Sequence, residues 1–158
     1  MALWGATDAD ESKPKWLTTA EKKEVYANAE GWVREGGSVW SGSDNTSAAP
    51  EILVAIGNLT TGLGAADVTE VEWITTAADK SAGFTLSVRV RYNEAVTVTG
   101  SPTLAVTNGN QGSGSGRGPH TLVYASGTGT NELVFSLAIG AANAATNASD
   151  VLVIGAQN

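Results

Sequence analysis

The chain has one histidine, no cysteine and sixteen Asp and Glu residues, so acid–base, nucleophilic or metal chemistry would have to come from a short inventory. A Ser-His-Asp site would need His120. That residue follows Gly118-Pro119 at the start of a strand-like run, and no Gly-x-Ser-x-Gly elbow exists to present a serine. His120 therefore reads as a surface or edge-strand residue. Asp8, Asp10 and Glu11 have the look of a metal loop, but the EF-hand pattern with its central Gly and closing Glu is missing. They read as solvated acids. Glu70, Glu72 and Asp79 read as an exposed strand face, with calcium at a domain junction as the alternative. "GSGSGRG" (112–118) lacks the Lys and the following helix of a phosphate loop, so it reads as a hairpin tip from which Arg117 can reach a partner. Without cysteine there are no disulfides, thiolate nucleophiles or Cys-type zinc sites. The expectation is a non-enzymatic protein with no catalytic residue, no cofactor and no metal.

Charge and composition point to protein partners. Charged residues are 16% of the chain, below the ~25% of ordinary soluble domains. A surface rich in Gly, Thr, Ser and Ala suits a protein that lives against other proteins. The net charge of −7 argues against nucleic acid, which needs clustered Lys and Arg. No run approaches the ~18 apolar residues of a membrane span, and the opening has neither basic nor apolar leader character. No membrane partner and no export are expected.

The elements divide near residue 66. In 1–66, Thr18 and Glu21 form a capping box, and a helix is predicted from about Thr19 to Ala29. Residues 36–50 read as a loop, 51–57 ("EILVAIG") as a buried strand and 59–66 as a linker. Four of the five tryptophans lie here: Trp4, Trp16, Trp32 and Trp40. They either cover the helix and the second domain or anchor the chain in a partner's pockets, where tryptophan is enriched. In 67–158, seven runs rich in Val, Thr, Leu and Ile are broken by Gly, Asn, Ser or Pro, which predicts a β-sandwich. Phe84, Leu86, Val88 and Val90 alternate with Thr85, Ser87, Arg89 and Arg91; Leu133, Phe135, Leu137 and Ile139 alternate likewise. With Tyr92 and Tyr124, these apolar residues are the predicted core.

Tyr92 to Val96 ("YNEAV"), Val98 to Leu104 ("VTGSPTL") and Tyr124 to Phe135 ("YASGTGTNELVF") resemble the bacterial Ig-like domains repeated in cyanobacterial and other bacterial surface proteins. The resemblance implies an Ig-like β-sandwich over 67–158, preceded by an extended N-terminal arm with one short helix. Relative to that pattern, 108–119 is longer, and the sequence stops at Asn158, before the further strand that such domains usually have, so that strand either follows this stretch or is lacking. "MALWG" and the acidic stretch after it resemble small virion proteins of tailed phages of marine cyanobacteria. The implied function is a virion structural protein, first a capsid decoration protein, with a tail or neck component or a carbohydrate-binding adhesin module as alternatives. Its implied partners are the major capsid protein or other virion proteins, copies of itself and a host-surface glycan. Its implied place is the virion, assembled in the host cytoplasm.

Overall fold

The computed structural model describes residues 13–109, 119–143 and 145–155. The chain is mainly β. In order come α1 (Thr19–Lys23), β1 (Val25–Ala27), β2 (Gly31–Arg34), β3 (Glu51–Ala55), α2 (Leu59–Leu63), β4 (Val68–Trp73), β5 (Phe84–Val96), β6 (Thr103–Asn108), β7 (His120–Ser126), β8 (Thr130–Ile139) and β9 (Leu152–Ile154). The strands hydrogen-bond in the order β3-β2-β1-β5-β8-β7-β6-β9, and β4 also pairs with β5. The described residues fall into two compact units. The first holds those up to Glu70 together with Arg91–Thr97 and Thr128–Glu132; the second holds Val71–Val90, Val98–Gly127 and those from Leu133 onward.

In the first unit the capping box forms as read: the Thr18 hydroxyl accepts from the Glu21 N–H at 3.2 Å, and the Glu21 carboxylate accepts from the Thr18 N–H at 2.9 Å. The helix it starts is five residues long, not eleven. Val25 and Tyr26 are poor helix formers and good strand formers, and all of β1 and β2 is buried. The tertiary burial of a hairpin overrides a marginal helix. The hairpin turns on Asn28, whose side chain accepts from Glu30 N at 2.8 Å and Gly31 N at 3.1 Å. Gly31 has φ +140°, and a Cβ there would stand 2.0 Å from the Val54 carbonyl oxygen, so only glycine lets β2 lie against β3.

Three further expectations are corrected here. Residues 51–55 do form a strand, but β3 is half-exposed at the end of the strand order, not buried. Residues 59–63 form α2 instead of a linker, and Leu59 and Leu63 are buried. Residues 17–63, expected in an extended arm, instead build a core of Leu17, Val25, Ala27, Trp32, Leu59 and Leu63, against which Leu53, Val54 and Ile56 pack.

In 67–158 the seven runs become six strands, because "YNEAV" contains no breaker and β5 continues through it to Val96. β6 pairs antiparallel with β7 (Leu104 opposite Leu122, Val106 opposite His120) and with β9 (Thr107 opposite Val153). Leu86, Val88, Leu133 and Phe135 are buried as expected, whereas Phe84, Tyr92, Tyr124 and Leu137 are only partly so. Tyr124 meets Phe135 edge-on, with ring centres 6.2 Å apart. Pro102 lies in the turn before β6, and Gly127 and Gly129 take positive φ between β7 and β8, both as expected.

Candidate functional site

The residues singled out in the sequence are not gathered in one place. Trp4, Asp8, Asp10, Glu11 and Arg117 lie outside the described residues. Trp32 is 1% exposed and belongs to the core. Glu70 pairs with Lys23, Glu72 with Arg89 at 3.8 Å, and Asp79 accepts from the Ser81 N–H and hydroxyl, so these three carboxylates serve separate local contacts. Among the described residues no group of three or more His, Asp or Glu side chains is arranged to hold a metal ion.

Trp16 and Trp40 are 61% and 47% exposed, and Val39, which sequence reading passed over, is 77% exposed. The backbone beneath Trp40 is fixed. The buried Arg34 at the end of β2 donates from Nη1 to the Trp40 carbonyl at 3.2 Å, and the Trp40 N–H donates to the Ser38 hydroxyl at 3.2 Å. Arg34 is itself held by Glu21 and Glu51, each at 3.5 Å. A large apolar side chain is thus held out in water on a pre-ordered loop, so little ordering entropy remains to be lost on binding.

The other chemistry in this unit is one that sequence reading missed. In the β1–β2 hairpin, paired residues share a face. Val25, Ala27 and Trp32 face the apolar core; Glu24, Tyr26, Val33 and Glu35 face the other way. There they meet Arg91 of β5 and Glu132 of β8. Arg91 was expected on an outer strand face, but β5 changes its burial phase after Val90 and Arg91 is 7% exposed. Its Nη1 lies 2.7 Å from Glu132 Oε1 and 3.8 Å from Glu35 Oε2, and it donates to the Lys23 carbonyl at 2.9 Å. Burial, then the negative charge of Glu132, push the Glu35 carboxyl up to about 7 against the pull of Arg91; Glu24 and a hydrogen bond with Glu132 add to the rise. Burial, with Glu35 and Glu132 beside it, likewise raises the Tyr26 hydroxyl above its ordinary range. The spacing of 35, 91 and 132 carried no signal, because only the fold brings them together.

In the second unit His120 is buried, 3% exposed, rather than at the surface as expected. It points inward on β7 beside Asn108 of β6, and its Nε2 is 2.9 Å from the Thr146 hydroxyl. Asn108 donates to the Ala145 carbonyl at 2.9 Å and to Asp150 at 3.2 Å, tying the loop after β8 to the sheet. Burial holds the imidazole below its ordinary range, opposed by Asp150. The unfolded chain therefore binds the extra proton more readily, and the stability from neutral His120 is present above pH 6.5 and lost as pH falls below it. Amide exchange of β6 and β7 is expected to accelerate, relative to the intrinsic rate, as pH drops from 7 to 5. His120→Asn is expected to remove that acid response; an unchanged response in the variant would assign it elsewhere.

The same unit carries a groove of about 370 Å³ lined by Trp73, Thr75, Thr76, Phe84, Leu86 and Leu152, from β4, the segment after it, β5 and β9. The Thr75 hydroxyl is already engaged, donating to the Thr85 carbonyl and accepting from the Ser87 N–H. No family model matches this chain, no curated protein matches it, and no solved structure matches it. The fold and these features define a mainly β chain with an exposed tryptophan, Trp40, on a hydrogen-bonded loop of its first unit.

Proposed function

We propose that the chain is a non-enzymatic virion structural protein, a capsid decoration protein that attaches through its N-terminal unit and displays an Ig-like β-sandwich built from 67–158. The observation that carries this reading is Trp40, held out beside Val39 on a loop pinned by buried Arg34. Tryptophan is among the residue types enriched at the hot spots of protein interfaces. Trp40 and the separately exposed Trp16 are the apolar anchors repeated at every copy, so modest contacts become strong retention on a lattice. The attachment is by a folded face, which replaces the extended arm of the sequence reading. Antibody against the chain is expected to label the heads of purified phage particles. Added Trp16→Ala/Trp40→Ala protein is expected to load onto particles lacking it at least tenfold less than the native chain. Label confined to the tail or neck would place the protein there instead, and unlabelled particles would overturn the virion reading.

A glycan-binding adhesin module is the second reading, and the groove beside Trp73 favours it. An uncharged concavity with two aromatic walls and a threonine hydroxyl has the make-up of a small-ligand site. Binding of the native chain on a glycan array, abolished by Trp73→Ala and indifferent to Trp40→Ala, would select this reading over docking on a capsid.

A further inference from the structure

The Arg91 cluster joins three stretches of chain that are far apart in sequence: the β1–β2 hairpin, β5 and β8. Around Glu35 stand Glu24 at the end of α1, Tyr26 on β1, Arg91 on β5 and Glu132 on β8. The Lys23 ammonium pairs with Glu70, and Arg34 pairs with Glu21 and Glu51 on the hairpin's other face. Glu94, three residues from Arg91 on β5, falls on the opposite face by alternation. Two carboxyls thus meet one guanidinium, and the Glu24 carboxylate stands near Glu35 as a third negative charge. With all of them ionised the site is left with two excess negative charges in a largely buried position, which a low-dielectric surrounding penalises. A proton on Glu35 relieves the worst of this and supplies its hydrogen bond to Glu132.

We propose that Arg91, Glu35 and Glu132 form a proton-operated clasp, fixing the β1–β2 hairpin to β5 and β8 while Glu35 keeps its proton and loosening it when that proton leaves. The clasp stands apart from the virion reading, since it concerns how this unit holds itself together. It does have a route to the surface. Ser38 donates its hydroxyl to the Glu24 carboxylate and accepts from the Trp40 N–H, so the loop that presents Trp40 is two hydrogen bonds from the cluster.

The sign of the response follows from proton binding. The folded chain holds the Glu35 proton more tightly than the unfolded chain, whose carboxyl releases it near 4.5. The clasp's contribution is whole below that pH and lost as pH rises through about 7. Hydrogen–deuterium exchange of the full chain at pH 5.5, 6.5, 7.5 and 8.5, corrected for intrinsic rate, tests it. Protection of the Val25–Arg34 amides is expected to fall at least tenfold across the range, while that of β6 and β7 holds or rises. Glu35→Gln is expected to keep hairpin protection level. Level protection in the native chain, or the same fall in Glu35→Gln, would overturn the clasp. Should that variant not fold, carboxyl carbon NMR of the native chain decides. A transition of the Glu35 carboxyl near 7 upholds the clasp, and its titration below pH 5 sinks it.

Discussion

Trp32→Ala is expected to destabilise the first unit by about 3–5 kcal/mol, the usual cost of emptying a large aromatic site in a core. Trp32 is the largest fully buried side chain among the described residues, and its neighbours Val25, Ala27, Leu59 and Leu63 come from one strand and a five-residue helix. Such short elements hold their geometry only by packing on one another, so they cannot easily collapse into the void. With natural domains stable by only about 5–15 kcal/mol, the loss is a large share of the total. Urea unfolding followed by circular dichroism should show the midpoint moving down by more than about 1 M. Trp32→Phe should cost far less, roughly 1 kcal/mol, because it keeps most of the ring volume and removes an indole N–H that has no acceptor among the described residues. Trp40→Ala should shift stability by no more than roughly 0.5 kcal/mol, as exposed substitutions do. A large effect at Trp40 with a small one at Trp32 would reverse the assignment of these two tryptophans to surface and core.

The pattern of tryptophans shows how far the sequence could be read. Alternation in 84–90 and 133–139, the capping box at Thr18 and the glycines at 127 and 129 are local signals, and each acts through neighbours on the same element. These are realised. Local signals failed where partners distant in sequence decided the outcome. Val25-Tyr26-Ala27 continued a plausible helix until its burial beside β2 and β5 made it a strand. Leu59 and Leu63 sit in a stretch broken by glycine, and only the core that they complete reveals the helical turn between them. Trp32 and Trp40 are the same residue type eight positions apart. What separates them is that Trp32 lies on the hairpin's apolar face opposite Ala27, whereas Trp40 lies in the loop beyond. Arg91 continued a polar alternation with Arg89, and the phase change that buries it comes from its carboxylate partners at 35 and 132.

Those partners give the second large effect. Arg91→Leu leaves the Glu35 and Glu132 carboxyls facing each other without their cation and strips the Lys23 carbonyl of its donor. Removing one partner of a buried ion cluster typically costs about 3–5 kcal/mol, and that loss is expected at pH 8, where the remaining carboxyls carry the most charge. Arg91 is also what draws the Glu35 proton affinity downward, so without it the carboxyl holds its proton to still higher pH. The variant should therefore be closest to the native chain near pH 5 and fall away steadily through 7 and beyond, as urea midpoints across that range would record. A loss independent of pH would mean that Arg91 acts by packing alone. Replacing all three residues together, Arg91→Met with Glu35→Leu and Glu132→Met, removes every buried charge and should recover much of the stability, since apolar groups of similar volume often match a buried ion cluster. If the triple variant is stable and its hairpin protection no longer varies with pH, the charges are dispensable for folding. What they then supply is the proton response itself, exerted on the hairpin that carries Trp32 on one face and leads directly into the Trp40 loop.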